Sequence, residues 1–144
     1  MAIVQSAWGA LRKQAPVSRE AGGVVAEKYK FTVTANLAAN DIIELAVLPA
    51  YHTIVDAILI VDEAGTATYD VGIMSGILGS PDQARTCGNE LFASAADATV
   101  TRMTKPEGFR ITSIEGDRAI GVKVLGAGIV QAGQVIELIL FTKQ

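Results

Sequence analysis

The sequence predicts an all-β fold: an antiparallel β-sandwich, jelly-roll-like, with an extended N-terminal arm and one short helix. Three observations predict it. Apolar residues alternate with polar ones in several short runs, turn-forming residues separate those runs, and a single segment carries a concentration of helix formers. At 144 residues the chain suits one domain, which at this size buries roughly 70% of the surface its unfolded form exposes.

The elements follow in order. Residues 1–23 contain Gly9, Pro16, Gly22 and Gly23 among Arg12, Lys13, Arg19 and Glu20, with no sustained period, and read as an arm preceding a sandwich domain over 24–144. From Lys28, Tyr29, Phe31 and Val33 face one way and Lys30, Thr32 and Thr34 the other, the pattern of a half-buried strand. A second strand runs from Asp41 to Leu48 and stops at Pro49. Residues 53–61 are β-branched and almost continuously apolar, as a central strand requires. Asp62-Glu63-Ala64-Gly65 is a charged turn, and a fourth strand follows from Thr68 to Ile73, with Gly72 marking a bulge.

Residues 76–88 form a loop, and Asn89-Glu90-Leu91-Phe92-Ala93-Ser94-Ala95-Ala96 offers an Asn cap followed by helix formers, the one short helix. Strands resume at 109–112, 119–125 and 134–142, the last two joined through Gly126-Ala127-Gly128 and Ala132-Gly133.

Composition narrows function mostly by exclusion. A formal charge of −3, with basic residues scattered singly apart from Arg12 and Lys13, creates no field that draws phosphates, so nucleic acid is not an expected partner. No uninterrupted apolar run has the length of a membrane span, and the start of the chain lacks the basic residues and apolar core of a secretory signal, so neither a membrane partner nor export is expected. Cys87 is the only cysteine, which rules out an intrachain disulfide and a thiolate-rich metal site.

Catalytic patterns are missing as well. His52 is the sole histidine and reads as a strand-end residue, because a general base needs carboxylates the sequence does not place beside it. Cys87 in Arg85-Thr86-Cys87-Gly88-Asn89 reads as a small semi-buried group rather than a nucleophile. Asp62 and Glu63 form a solvated tip, and neither a phosphate loop nor a Gly-x-Ser-x-Gly elbow occurs. The chain is expected to be neither an enzyme nor the holder of a metal or cofactor.

The runs Tyr29-Lys30-Phe31-Thr32-Val33-Thr34-Ala35-Asn36, Asp41-Ile42-Ile43-Glu44-Leu45 and Val55-Asp56-Ala57-Ile58-Leu59-Ile60-Val61-Asp62 resemble the head cement or decoration proteins of tailed bacteriophages. Asp70-Val71-Gly72-Ile73-Met74-Ser75-Gly76, Arg118-Ala119-Ile120-Gly121-Val122-Lys123-Val124 and the Ala-Gly turn before the final strand extend the resemblance to about Phe141. It implies a homo-oligomer, dimer or trimer, that is assembled in the host cytoplasm and sits on the capsid exterior, bridging neighbouring major capsid protein subunits. The arm is then the expected clamp. Trp8 and Leu11 are its apolar anchors, and Arg12, Lys13 and Arg19 its partners for acidic capsid patches. A tail, collar or head-fibre module is the structural alternative. A lectin-like sandwich stacking sugars on Trp8, Tyr51 or Tyr69 is the alternative from another class.

Overall fold

Two facing sheets enclose one continuous apolar core in the computed structural model, which describes residues 2–18, 22–62, 67–96, 99–126 and 130–144. In chain order the strands are β1 (Ile3–Gln5), β2 (Val24–Thr32), β3 (Ile42–Leu48), β4 (Thr53–Val61), β5 (Thr68–Ile73), β6 (Phe92–Ala96), β7 (Val100–Arg102), β8 (Arg118–Leu125) and β9 (Val135–Lys143). One helical turn, α1 (Pro106–Phe109), precedes β8.

The first sheet runs β1-β3-β8-β5-β6 and the second β2-β9-β4-β7. Leaving β1 aside, the eight strands β2 to β9 stand in the order second, seventh, fourth, fifth in one sheet and first, eighth, third, sixth in the other. This is the double Greek key of a jelly roll. Every pairing is antiparallel except β1 against β3, where Ile3 lies opposite Ile42.

Period-two patterning explains the inner faces. Ile54, Ala57, Leu59 and Val61 of β4 and Ile136, Leu138 and Leu140 of β9 point inward and are almost fully buried, as are Tyr69 and Val71 of β5 and Ile120, Val122 and Val124 of β8. β3 is buried along its whole length, because both faces of the first sheet are covered. Its inner face meets the second sheet, while the 74–91 loop folds back across its outer face, where Met74 bridges to Cys87 and packs with Ile42 and Ala119.

That fold-back accounts for two glycines. Gly72 and Gly121 are cross-strand partners. A Cβ on Gly72 would stand 2.4 Å from the Gly88 carbonyl carbon, and one on Gly121 would stand 2.7 Å from Met74 Cγ. Gly72 therefore makes room for the loop rather than a bulge, and the register shift in this region lies between Tyr69 and Val71.

Two local expectations are corrected. Residues 89–96 do not form the short helix: Phe92–Ala96 is β6, paired with β5, and Ser94 adopts φ 54. Pairing with an exposed strand edge outweighs the weak helical propensity of an Ala-rich run. The helical turn forms instead where Pro106 presets its first residues, so Phe109 ends a helix rather than beginning a strand. Residues 2–18 lie along the sandwich, with Ile3–Gln5 extending the first sheet.

A buried ion pair ties these covering segments down. Glu44 on β3 and Arg85 in the 74–91 loop are almost completely buried, and Arg85 Nη2 donates to Glu44 Oε2. Arg85 also donates from Nε to the Ser75 carbonyl (2.9 Å) and from Nη1 to the Ser80 carbonyl (3.0 Å). The other Glu44 oxygen accepts from Gln5 Nε2 at 2.6 Å. β1, β3 and the loop thus share one satisfied polar cluster.

Candidate interaction surface

The strand registers bring several loops to one end of the sandwich. Leu48 at the end of β3 faces Arg118 at the start of β8, and Ile73 at the end of β5 faces Ile120. The 49–52 turn, the 74–91 loop and the 103–117 connection consequently share that end, joined by residues 6–18. Tyr51 N–H donates to the Ile114 carbonyl (2.7 Å), and Ala50 N–H to Asp117 Oδ1 (2.8 Å).

Residues 6–18 are held tightly. Ser6 Oγ donates to the Leu45 carbonyl at 2.6 Å and accepts from Gly9 N–H at 3.2 Å. Gly9 lies so close to β3 that a Cβ would stand 2.3 Å from the Glu44 carbonyl oxygen. Trp8 then enters the core edge-on to Tyr29, with ring centroids 5.0 Å apart, and Lys13 Nζ sits 4.8 Å above its indole. Burial, reinforced by Glu27, raises the Tyr29 pKa, and the hydroxyl donates to the Val47 carbonyl at 3.3 Å.

The proposed anchors therefore divide. Trp8 is 7% exposed and docks on the domain's own flank, whereas Leu11 is 62% exposed, and Arg12 and Lys13 are exposed beside it. Arg19 lies outside the described residues. Between Trp8, Leu11, Val17, Pro49, Leu78 and Asp117 runs an open groove of about 330 Å³.

Sequence reading missed Val17, Ile77 and Ile114 at this end and took Tyr51 only as a ring for sugar stacking; all four are substantially exposed, with Ile77 at 79%. Their signal was a large apolar side chain inside a turn-rich segment, which has no period to register. Nearby, Arg118 donates from Nη2 to the Thr112 carbonyl (2.9 Å), while its buried Nε has no hydrogen-bond partner and desolvation lowers its pKa.

The candidate reactive residues serve the fold. His52 is fully buried; its Nε2 accepts from Ser18 N–H (3.0 Å), which leaves Nδ1–H to donate to the Ala50 carbonyl (2.8 Å). The ring pins residue 18 to the β3–β4 turn. Desolvation pushes the Cys87 thiol up to about 12, so at neutral pH it is protonated on the inner side of the 74–91 loop, against Gly121. Of the rings considered for sugar stacking, Trp8 and Tyr69 are buried and Tyr51 is exposed. Among the described residues no three His, Cys, Asp or Glu side chains cluster as metal ligands, and no helix is long and apolar enough to cross a membrane.

No protein-family model and no curated protein matches the chain. Among solved structures, a chain from the capsid of Ralstonia phage GP4 superposes with a TM-score of 0.89 at 45% identity, covering 99% of this chain and 98% of that one. The chain belongs to a family of phage capsid proteins. A chain from the capsid asymmetric unit of cyanophage Pam1 shares the fold, with a TM-score of 0.63 and 20% identity over 92% of each chain.

As a capsid protein it is a structural component of the virion. Such a component acts through surfaces, and the loop end supplies apolar side chains that a folded monomer leaves in water.

Proposed function

We propose that this capsid protein is a non-catalytic cement or decoration subunit, seated on the outside of an icosahedral shell and bridging neighbouring major capsid protein subunits. The observation that carries the reading is the near full-length likeness, at 45% identity, to a chain of the GP4 capsid. The jelly-roll body supplies a rigid module, and the loop end supplies grip through exposed Leu11, Arg12, Lys13, Tyr51 and Ile77. Weak contacts suffice for such a protein, because a lattice presents many sites and each copy touches more than one neighbour. Association into dimers or trimers would add avidity of the same kind.

The test is deletion of the coding sequence followed by imaging of the particles. An accessory cement predicts DNA-filled heads that lack this density, lose DNA at lower temperature than wild-type heads, and recover when purified protein is added back. Failure to form any head would make the protein a shell builder instead. Loss of density at a single vertex would make it a tail or collar component.

A further inference from the structure

The two sheets differ in how their outer faces are treated. The first is roofed by residues 74–91 and by the N-terminal segment, whereas the second turns a row of apolar side chains outward. Along β9 the outward positions are Val135, Glu137, Ile139, Phe141 and Lys143, and opposite them on β4 stand Ile58 and Ile60. A one-sided sheet would carry polar residues there. Ile58, Ile60, Ile139 and Phe141 are only partly buried, and none of them belongs to the core or packs against it.

The rim of this face has a definite charge. Lys28 and Lys30 line it on β2, Arg102 on β7 and Lys143 on β9. Its carboxylates are already engaged: Glu137 pairs with Lys28 (2.9 Å), Asp56 with Arg102 (2.9 Å), and Asp62 Oδ2 accepts from Val135 N–H (3.3 Å). Lys30 and Lys143 have no ion pair among the described residues. The chain as a whole is slightly acidic, at −3, whereas this face presents Lys30 and Lys143 as cations outside any of the ion pairs of the described residues.

We propose that the outer face of the β2-β9-β4-β7 sheet is a second docking surface, and that its occupant is a protein surface with an apolar centre and a carboxylate rim. Within the function proposed above, on which this rests, that occupant belongs to the capsid shell. Four strands at about 4.8 Å spacing and about 3.3 Å per residue give a footprint of roughly 500 Å². A standard interface needs about 800 Å² per partner. The face alone holds weakly, which suits a subunit that also grips through its loop end. A second copy is the poorer occupant, since two such faces brought together supply no free carboxylate for Lys30 or Lys143.

Heads purified from the deletion phage provide the probe. Purified wild-type protein is expected to bind them. Two rim reversals in one variant, Lys30→Glu with Lys143→Glu, should weaken binding about tenfold or more while leaving the melting temperature unchanged, because both side chains are exposed. Ile139→Asp tests the apolar centre and should lower occupancy in the same assay at full folding by circular dichroism. Wild-type binding with undiminished binding by both variants overturns the face assignment alone. Failure of the wild type to bind overturns the proposed function and the face assignment together. A wild-type dimer in sedimentation that Ile139→Asp converts to monomer would assign the face to a second copy and overturn the shell partner.

Discussion

Replacing Arg85 with Met isolates the polar cluster that fastens the roof of the first sheet. The substitution keeps the side chain's apolar stem but leaves Glu44 as a buried carboxylate with only the Gln5 amide and, at 3.4 Å, Gly79 N–H to meet it. It also frees the Ser75 and Ser80 carbonyls. Removing one member of a buried ion pair costs about 3–5 kcal/mol, and at this chain length that corresponds to a fall in melting temperature of roughly 10–15 °C. Urea denaturation of wild type, Arg85→Met, Glu44→Gln and the double variant gives a complete cycle. A coupling energy of about 2–3 kcal/mol is expected, with the double variant more stable than Arg85→Met alone. Amide exchange should accelerate first in residues 75–88 and 3–9. If Arg85→Met cost less than 1 kcal/mol, or if the double variant were as unstable as the two singles added, the pair would not be what fastens those segments.

Three further outcomes are expected. Gly72→Ala should destabilise by about 2 kcal/mol or more, because the new Cβ meets the Gly88 backbone as well as the Glu90 carboxylate, and the backbone cannot swing aside as a side-chain tip can; thermal melting checks it, and an unchanged midpoint would mean that the loop does not press on β5. Cys87 and Tyr29 both hold their protons more tightly in the folded chain than in the unfolded one. Their contribution is complete below about pH 9 and is lost as the pH rises toward their folded values, about 1.4 kcal/mol per pH unit for each group once its unfolded form ionises. Denaturant midpoints should therefore fall steadily from pH 9 to 10.5 and fall less in Cys87→Ala. The Cys87 thiol should also react with a disulfide reagent at pH 8 roughly a thousandfold more slowly than free cysteine.

Much of the fold was legible because β5, β8 and β9 alternate inward and outward, as β4 does beyond its irregularity at residues 54–56, and turn residues separate them. Thr53–Val61 and Thr68–Ile73 occupy the expected residues. The near-continuous apolar character of β4 was also legible, and its meaning is now specific: one set of side chains fills the core and the other faces outward. β1 and β7 were missed because three residues cannot display a period, and their pairing depends on partners far along the chain. The roof over the first sheet was equally hidden. Nothing local in Gly72 or Gly121 distinguishes a close approach from a bulge until Met74, Cys87 and Gly88 are seen above them. Trp8 was recognised as needing cover, but only the fold shows Tyr29 as its partner.

The position of β9 governs how the chain can be made. It is the last strand in sequence, yet it lies between β2 and β4, so the second sheet lacks its centre until residues 135–143 have been synthesised. Before then β2 and β4 are separate ribbons with unpaired edges, and contacts between residues more than a hundred positions apart must close at the end, which is slow. A chain that lacks residues 135–143 should therefore expose the facing edges of β2 and β4 and aggregate rather than fold as a shortened domain.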